Sequence, residues 1–209
     1  MKKNILHIHG FNSSPLSAKA EQTRQYIKKH FPEVGFYCPQ LASSPDAAIL
    51  QLETIISEQL NTTDSSVANT ETSQWYFIGS SLGGYFASYL SEKYNCLAVL
   101  VNPAVKPYEL LHDYLGEQVN PYTEEVYQVT EDHIQQLKLL EQSAPTIDSK
   151  QKNNYLVMLQ TGDEVLNYRQ AEEKYQHCRL IVQAGGDHSF VNFEHCLPSI
   201  CQFFQLDAC

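Results

Sequence analysis

The chain has 209 residues, 43% of them hydrophobic, and carries a formal net charge of −10 at pH 7. This length suits a sizeable core, so we predict a single domain over residues 1–209. Nucleic acids and anionic membrane surfaces are bound through clustered lysine and arginine, and the acidic balance therefore argues against both as partners.

Apolar runs alternate with helix-like stretches along the whole chain. Six runs are typical of β-strands, and they cover residues 5–8, 34–38, 75–78, 97–101, 155–159 and 180–182. A helix is predicted over residues 18–30 after the capping residue Ser17, and apolar residues at helical spacing predict another over residues 49–60. Residues 84–90 have helical character, and residues 190–204 predict a closing helix.

The central strand-like runs are continuously apolar rather than alternating. Strands have this pattern when helices cover both faces of a parallel sheet. With right-handed crossovers, the alternation predicts the α/β class: one domain with a mostly parallel, doubly wound sheet of about six strands. Active sites of such sheets lie at the carboxyl ends of the strands, and that is where candidate residues are sought.

Two stretches depart from this alternation. Residues 61–73 are rich in Ser, Thr and Asn, which predicts a surface excursion without an assigned function. Residues 106–150 separate the fourth and fifth strands, and short helices are predicted there near residues 109–111 and 134–140. This insertion either forms a small cap over the site or is a crossover helix with a loop, and the sequence leaves both interpretations open.

The start of the chain and its cysteines bear on location. The sequence MKKNILH has no apolar signal-peptide region, and no apolar run is long enough to cross a bilayer, so we expect a cytoplasmic protein. The six cysteines form no C-x-x-C pair and no disulfide-scaffold spacing. Cys38, Cys96 and Cys178 lie in or beside apolar runs, and we interpret them as buried small hydrophobic residues.

The most informative motif is GSSLG at residues 79–83, between the third predicted strand and a helix. It fits the G-x-S-x-G nucleophile elbow, in which a sharp strand-to-helix turn exposes a serine between small neighbours. Only the frame centred on Ser81 fits, with Gly79 and Gly83 two positions away; a frame on Ser80 places larger residues there. A glycine-rich turn capped by serine is the simpler alternative. The flanking strand and helix favour Ser81 as a nucleophile.

A serine hydroxyl needs a base, and in this fold the order along the chain is serine, acid, histidine. His188 is the predicted base, because it stands in the loop AGGDHSF between the last strand and the closing helix. The other histidines after the serine lie in the insertion, before the last strand or in the closing helix, and they are His112, His133, His177 and His195.

The acid is expected directly after the fifth strand, in the segment QTGDEVL. Asp163 is the first choice and Glu164 the second. Capping of a helix is the alternative role of Asp163. Asp187 is adjacent to His188 in the chain, so its side chain is expected to point elsewhere.

Two backbone N–H groups are expected to bind the oxyanion that forms during acyl transfer. One belongs to Leu82, the residue after the nucleophile. The other is predicted at Phe11, where Gly10 lets the loop after the first strand turn inward. His7 and His9 share a strand face and suggest a metal pair, but no third ligand has suitable spacing and the nucleophile hypothesis needs no metal.

Five collinear segments carry a family resemblance: HGFNSSP at 9–15, GSSLGGY at 79–85, VNPAV at 101–105, QTGDEVL at 160–166 and GGDHSF at 185–190. In these the chain resembles the α/β-hydrolase superfamily, and more closely the small bacterial YqiA/YcfP-type esterase family. The resemblance implies a compact hydrolase that lacks the first strands of larger relatives. It also implies activity on acyl esters or thioesters, with Ser81, Asp163 and His188 as the catalytic triad.

We therefore predict a serine esterase that hydrolyses small-molecule acyl esters without a cofactor. An acyl thioesterase with the same triad is one alternative, and a binding protein without turnover on the same scaffold is another. Basic residues for an anionic carrier such as coenzyme A are scattered, and the candidates are Lys106, Lys138 and Arg169. Aromatic candidates for an acyl pocket are Phe11, Tyr85 and Tyr108.

Overall fold

The computed structural model describes residues 2–61 and 73–206. The strands in chain order are β1 (Lys2–Ile8), β2 (Gly35–Tyr37), β3 (Ser73–Ser80), β4 (Leu97–Val101), β5 (Gly116–Val119), β6 (Val126–Val129), β7 (Tyr155–Gln160) and β8 (Arg179–Gln183). The α-helices are α1 (Ala18–His30), α2 (Pro45–Asn61), α3 (Leu82–Tyr94), α4 (Pro107–Leu110), α5 (Glu131–Leu139), α6 (Tyr168–Lys174) and α7 (Leu197–Phe203).

Six strands form one sheet in the order β2-β1-β3-β4-β7-β8, and every neighbouring pair is parallel. All six predicted strands are present, which confirms the predicted α/β fold class. The chain winds outward from β1 to β2 and then returns to place β3 on the other side of β1. This reversal is a topological switch point, where open α/β sheets form their binding crevice.

Helices cover both faces of the sheet. Leu6 and Phe77 pack with side chains of α2, α3, α5 and α6, whereas Ile5 and Tyr76 pack on the opposite face with α1 and α7. Successive residues of a strand point to opposite faces, so both sets must be apolar. Each fully buried side chain of this size contributes about 1.5–3 kcal/mol, and the continuous apolar runs are the sequence record of this burial.

The insertion between β4 and β7 contains the two predicted helices, α4 and α5, and also an antiparallel hairpin of β5 and β6 that the sequence analysis missed. Each hairpin strand has only four residues. Its cross-strand pair Val119 and Val126 is more than half exposed, so the hairpin lacks the alternating apolar pattern that predicts a strand.

The predicted closing helix is shorter than expected. Phe190 lies in a loop with φ of +64°, and a 3₁₀ turn over Phe193–Cys196 precedes α7. Pro198 near the start of α7 is compatible with a helix that begins at Leu197, because a proline in the first turn needs no N–H acceptor. The predicted polar excursion at residues 61–73 falls, apart from its two end residues, outside the described residues.

The prediction of buried cysteines was wrong for Cys38, Cys96 and Cys178, which are only partly buried. These three lie just beyond strand ends, where the covering helices give way to loops. Cys196 and Cys201 are the buried ones, and all five described cysteines are free thiols. Within the described part of the chain, no helix has the length and apolar character that a bilayer span requires.

Candidate active site

Ser81 occupies the turn between β3 and α3, with φ of +56° and ψ of −123°. A non-glycine residue in this conformation is strained by about 1–3 kcal/mol and persists only where its surroundings hold it. Here the Ser81 N–H donates to the Val101 carbonyl at 3.1 Å, and the Ser81 carbonyl accepts the Ala104 N–H at 3.1 Å. The end of β4 and the loop after it therefore hold the strained turn in place.

The glycines of the motif are required by close backbone approach. A Cβ atom at Gly79 would collide with the carbonyl oxygen of Gly83. A Cβ atom at Gly83 would collide with the carbonyl oxygen of Ile8 and would lie 2.6 Å from that of His9. Because these contacts are with backbone and not with movable side chains, the turn cannot make room for a larger residue.

The structure brings Ser81, His188 and Asp163 into one chain of hydrogen bonds. His188 Nε2 lies 3.1 Å from Ser81 Oγ, and His188 Nδ1 lies 2.9 Å from Asp163 Oδ2 and 3.0 Å from Oδ1. A carboxylate only accepts hydrogen bonds, so the proton of the neutral imidazole resides on Nδ1. Nε2 is then free to accept the serine proton. The Asp163 side chain is 1% exposed and that of His188 is 24% exposed.

Asp163 accepts hydrogen bonds from two backbone N–H groups in addition to its contact with His188. Its Oδ1 also accepts the N–H groups of Val165 at 2.9 Å and Leu166 at 2.8 Å. Burial alone would raise the pKa of Asp163, but the hydrogen bonds from His188, Leu166 and Val165 outweigh it and hold the pKa below its ordinary value. The carboxylate therefore stays ionised beside the imidazole.

Asn102 and Gln160, which together we name the amide clamp, fix the loop that carries His188. Asn102 Nδ2 donates to the carbonyls of Asp187 at 3.0 Å and His188 at 3.4 Å, and its Oδ1 accepts the Gln160 N–H at 2.9 Å. Gln160 Oε1 accepts the N–H groups of Asp187 at 3.1 Å and Val191 at 2.9 Å. Both amide side chains are at most 3% exposed. The clamp therefore joins the ends of β4 and β7 to the histidine loop.

Sequence reasoning gave no role to either residue of the clamp. The signal was present, because each is a polar residue directly at the carboxyl end of an apolar strand. Glu164, the second choice for the acid, has a different contact: its Oε2 accepts the backbone N–H of His188 at 3.0 Å and does not contact the ring. Asp187 makes no hydrogen bond to the imidazole, as expected, and its Oδ1 is buried without a partner among the described residues.

The remaining histidines lie away from Ser81. His177 precedes β8 at the amino end of the sheet, and the His195 side chain is 76% exposed. His112 lies 3.9 Å from Glu131 within the insertion, and His133 lies on α5. Two cavities formed by described residues open at Ser81, and none of these four histidines lines either of them.

The two predicted oxyanion donors flank the serine. A Cβ atom at Gly10 would lie 3.1 Å from Ser81 Cβ, so the loop carrying Phe11 passes directly beside the elbow. Leu82 is the first residue of α3, where the helix has no acceptor for its N–H. Neither the Phe11 N–H nor the Leu82 N–H donates to another described residue.

An apolar cavity of about 300 Å³ opens at Ser81. Besides Ser81 and His188 it is lined mainly by aliphatic and aromatic side chains, among them Leu110, Leu111, Tyr114, Leu137, Val165 and Leu166. The first four come from the insertion between β4 and β7. We call this space the apolar cavity.

The insertion also contacts the loop after β1. The rings of Phe11 and Tyr114 meet edge to face at 5.2 Å, and the Tyr127 hydroxyl donates to Asn12 Oδ1 at 2.6 Å.

Of the aromatic candidates for an acyl pocket, Phe11 lines the apolar cavity. Tyr85 and Tyr108 do not line it. The Tyr85 hydroxyl instead donates to the buried carbonyl of Leu137 at 2.7 Å.

His7 and His9, the suggested metal pair, have separate partners. His7 Nδ1 lies 3.8 Å from Cys38 Sγ, and His9 Nε2 accepts the Leu41 N–H at 3.1 Å. Burial, followed by the charges of Lys19, His9 and Arg24, lowers the pKa of His7 to about 3. Over residues 2–61 and 73–206, no three His, Cys, Asp or Glu side chains are grouped as metal ligands.

Solved structures that share this fold with the chain include those of three proteins. A protein from Agrobacterium vitis S4 with a provisional hydrolase name matches with a TM-score of 0.72 at 14% identity, over 97% of this chain and 88% of that one. Est1E from Butyrivibrio proteoclasticus, solved with ferulic acid bound, matches with a TM-score of 0.65 at 12% identity, over 99% and 88%. The esterase Pf2001 from Pyrococcus furiosus matches with a TM-score of 0.63 at 16% identity, over 98% and 80%.

These likenesses extend over nearly the whole chain and confirm the α/β-hydrolase fold. A family model described as Uncharacterised protein family (UPF0227) matches residues 4–205. The match spans all the motifs on which the resemblance to the YqiA/YcfP-type family was based. The chain therefore belongs to the uncharacterised protein family UPF0227, and it adopts the α/β-hydrolase fold.

Proposed function

We propose that this protein hydrolyses carboxylic esters through an acyl-enzyme intermediate on Ser81. The observation that carries the proposal is the unbroken hydrogen-bonded chain from Ser81 Oγ through His188 to Asp163. Serine, imidazole and carboxylate in this order form the arrangement that activates a hydroxyl for acyl transfer.

The first half of the reaction makes the acyl-enzyme. His188 Nε2 takes the proton of Ser81 as its oxygen attacks the ester carbonyl carbon. The carbonyl oxygen becomes an oxyanion, which the N–H groups of Phe11 and Leu82 bind. When the tetrahedral intermediate collapses, the carbon–oxygen bond to the alcohol breaks and His188 gives its proton to the leaving oxygen.

The second half frees the acid. A water molecule takes the place of the alcohol, gives a proton to His188 and attacks the acyl carbon, after which Ser81 leaves and regains its proton. Asp163 holds the imidazole in the required tautomer and stabilises its cation in both halves. Each oxyanion donor contributes about 3 kcal/mol of transition-state stabilisation.

The compared proteins support this reaction class. Pf2001 is named an esterase, and Est1E was solved with ferulic acid, a carboxylic acid of the kind that an esterase releases. Both matches cover almost all of this chain. Their low identities leave the nature of the acyl group open, so the substrate is inferred from the cavity and not from the relatives.

The apolar cavity suits an acyl chain. Its volume of about 300 Å³ and its aliphatic lining favour a short to medium apolar chain over a polar one. We propose that residues 106–150 act as a small cap, because Leu110, Tyr114 and Leu137 form much of the cavity wall.

A thioester substrate would use the same machinery, but the charges favour simple esters. Lys106 and Lys138 line one surface groove together with Lys174. Glu141 and Glu173 line the same groove, so its charge is mixed and it offers little to the phosphates of coenzyme A. Arg169 is not among its lining residues.

The test uses p-nitrophenyl esters from acetate to octanoate, with wild type and the Ser81→Ala variant. We expect wild-type turnover and a loss of about 10⁴- to 10⁶-fold in the variant. The matched control is Ser57→Ala, which changes an exposed serine on α2 and should leave the rate unchanged.

Labelling with a fluorophosphonate probe separates an enzyme from a binding protein. We expect labelling of folded wild type and none of Ser81→Ala. Equal ester hydrolysis by both proteins would remove the proposal. An unlabelled but folded wild type without turnover would favour a binding protein on a hydrolase scaffold.

A further inference from the structure

A second cavity, of about 290 Å³, meets Ser81 and His188 on the side of α1. In contrast to the apolar cavity it is lined mostly by polar side chains, including His7, Ser13, Ser17, Lys19, Ser80 and Ser189. We call it the polar cavity. The esterase mechanism uses none of these six side chains.

Lys19 supplies the positive charge of the polar cavity. This half-buried side chain donates from Nζ to the Ser189 carbonyl at 2.8 Å, which holds the ammonium at the cavity wall. For the part of the chain that the structure describes, no carboxylate oxygen lies within 4.0 Å of it. Burial lowers the pKa of Lys19, while the negative charges of Asp187 and Asp163 act in the opposite direction. A desolvated cation without a paired anion gains stability when a ligand supplies one.

Two further features of the wall favour an anion. His7 is 1% exposed, and its Nε2 has no hydrogen-bond partner among the described residues. The Cys38 thiol lies 3.8 Å from His7 Nδ1, and when it donates to that nitrogen the ring proton is on Nε2, which is then an unsatisfied donor. Ser17 is the N-cap residue of α1 but makes no side-chain capping bond, so the first N–H groups of this 13-residue helix are not satisfied by a cap. The amino end of a helix carries partial positive charge. With a chain net charge of −10, anion binding requires such a local concentration of positive potential.

We propose that the polar cavity binds an anionic oxygen group, such as a carboxylate, on the alcohol part of the ester, and that Lys19 pairs with it. This inference rests on the proposed function. The carbonyl carbon of an ester carries two substituents, the acyl chain and the alcohol, and two cavities meet at Ser81. The acyl chain suits the apolar cavity. The alcohol then extends into the polar cavity, beside Ser189, the residue next to the proposed proton donor His188.

The experiment compares two butyrate esters whose leaving groups have the same shape. One leaving group is 3-hydroxy-4-nitrobenzoate and the other is the neutral 3-hydroxy-4-nitrobenzamide, and each release is followed by nitrophenolate absorbance. With rates normalised to hydroxide-catalysed hydrolysis, we expect wild type to prefer the carboxylate by about ten- to a hundredfold in kcat/KM, the range for one hydrogen-bonded charge pair. The preference should shrink at high salt.

Variants assign the preference to the ammonium. Lys19→Met should reduce the ratio of the two kcat/KM values to about one, chiefly by raising KM for the carboxylate ester, and Lys19→Arg should keep most of the ratio. The matched control is Lys28→Met, which removes an exposed lysine from the same helix and should keep the wild-type ratio. Lys19 also binds the histidine loop through Ser189. A purely structural role would lower both rates together and leave the ratio intact, which would overturn the proposal.

A binding measurement makes the test independent of turnover. Calorimetry with Ser81→Ala should show tighter binding of 3-hydroxy-4-nitrobenzoate than of the benzamide, and the difference should vanish when Lys19→Met is added. Equal affinities of the two compounds would overturn the anion site even if the esters are hydrolysed. Selective binding of the benzoate without any ester turnover in wild type would instead support the anion site and contradict the proposed esterase function. If Lys19→Met does not fold, the Lys19→Arg ratio and the salt dependence decide.

Discussion

The serine and the histidine of the candidate site are positioned by different kinds of contact. At the elbow, glycines bring backbone against backbone, and any added Cβ atom at Gly79 or Gly83 meets a carbonyl oxygen. At the histidine loop, the buried side chains of Asn102 and Gln160 donate to and accept from the backbone. Steric contacts of the first kind are all-or-none, whereas each hydrogen bond of the second kind can be lost separately. A single substitution should therefore disrupt the elbow completely, whereas substitutions at the histidine loop should each weaken it only in part.

After Ser81→Ala, the largest effect is expected from Asp163→Asn, at the outer end of the hydrogen-bonded chain. An asparagine amide donates to His188 Nδ1, so the ring proton moves to Nε2 and the imidazole no longer accepts the serine proton. We expect kcat to fall about 10⁴-fold with a small change in melting temperature. A fall of less than tenfold would exclude Asp163 as the orienting acid. Glu164→Gln is the matched control, since Glu164 contacts only the backbone of the loop.

Gly83→Ala tests the elbow. The added methyl group would overlap the carbonyl oxygens of Ile8 and His9, so we expect a loss of about 3 kcal/mol in the free energy of unfolding and loss of fluorophosphonate labelling. The comparison variant is Gly116→Ala, where nothing lies within 4 Å of the new atom and φ is +102°. It should lose about 1–3 kcal/mol, from backbone strain, and keep fluorophosphonate labelling. Full labelling of Gly83→Ala would show that the elbow is not sterically fixed.

Asn102→Ala tests the amide clamp. It leaves the carbonyls of Asp187 and His188 and the N–H of Gln160 without this partner, and we expect a loss of about 2–3 kcal/mol in unfolding free energy. Esterase activity should fall without vanishing, because Glu164 still holds the loop. Asn95→Ala is the control: it is exposed and has nearly the same positive φ, so it measures the conformational cost together with the loss of one exposed hydrogen bond, from Asn154 Nδ2 at 3.0 Å. If Asn102→Ala loses no more unfolding free energy than Asn95→Ala, the amide clamp does not stabilise the histidine loop.

At neutral pH the smallest effect is the one at His7, on the strand next to the elbow, and it grows as the pH falls. Its pKa is about 3 when folded and 6.5 for an unperturbed histidine, so the unfolded chain takes up the proton first. The contribution to stability is complete above pH 6.5 and is lost as the pH falls toward 3, by at most about 1.4 kcal/mol per pH unit. Urea titrations between pH 7 and pH 4 should show a flatter profile for His7→Gln. Parallel profiles for both proteins would contradict the assignment.

Much of the fold was predictable because strands that are buried on both faces of a sheet appear in the sequence as continuous apolar runs. The runs at 97–101 and 155–159 contain only apolar residues, and both are central strands. The elbow was predictable because its glycines, Gly79 and Gly83, lie only two positions from Ser81 in the sequence. Asp163 and His188 followed from the fixed order of residues in this kind of fold, and the structure places them within hydrogen-bond reach.

The missed features depend on contacts between distant segments. Asn102 lies 58 positions from Gln160, and nothing in either local pattern indicates that a buried amide holds a loop. The hairpin of β5 and β6 is half exposed, so it has no apolar face for a pattern to reveal. In the sequence, Lys19 looks like any other lysine of a surface helix. Only the polar cavity beside it distinguishes it from Lys28 and Lys29. The cytoplasmic location stays a prediction.

The outer wall of the apolar cavity has a consequence for how this protein can change. Leu110, Tyr114 and Val165 are 40–50% exposed, and their side chains belong neither to the elbow nor to the amide clamp. Substitutions there alter the shape offered to a ligand while the buried scaffold keeps its contacts. For the proposed esterase, natural variation and laboratory evolution can thus sample new substrate ranges at these positions at little risk to folding, because the residues that would select the substrate are physically separate from those that align Ser81, His188 and Asp163.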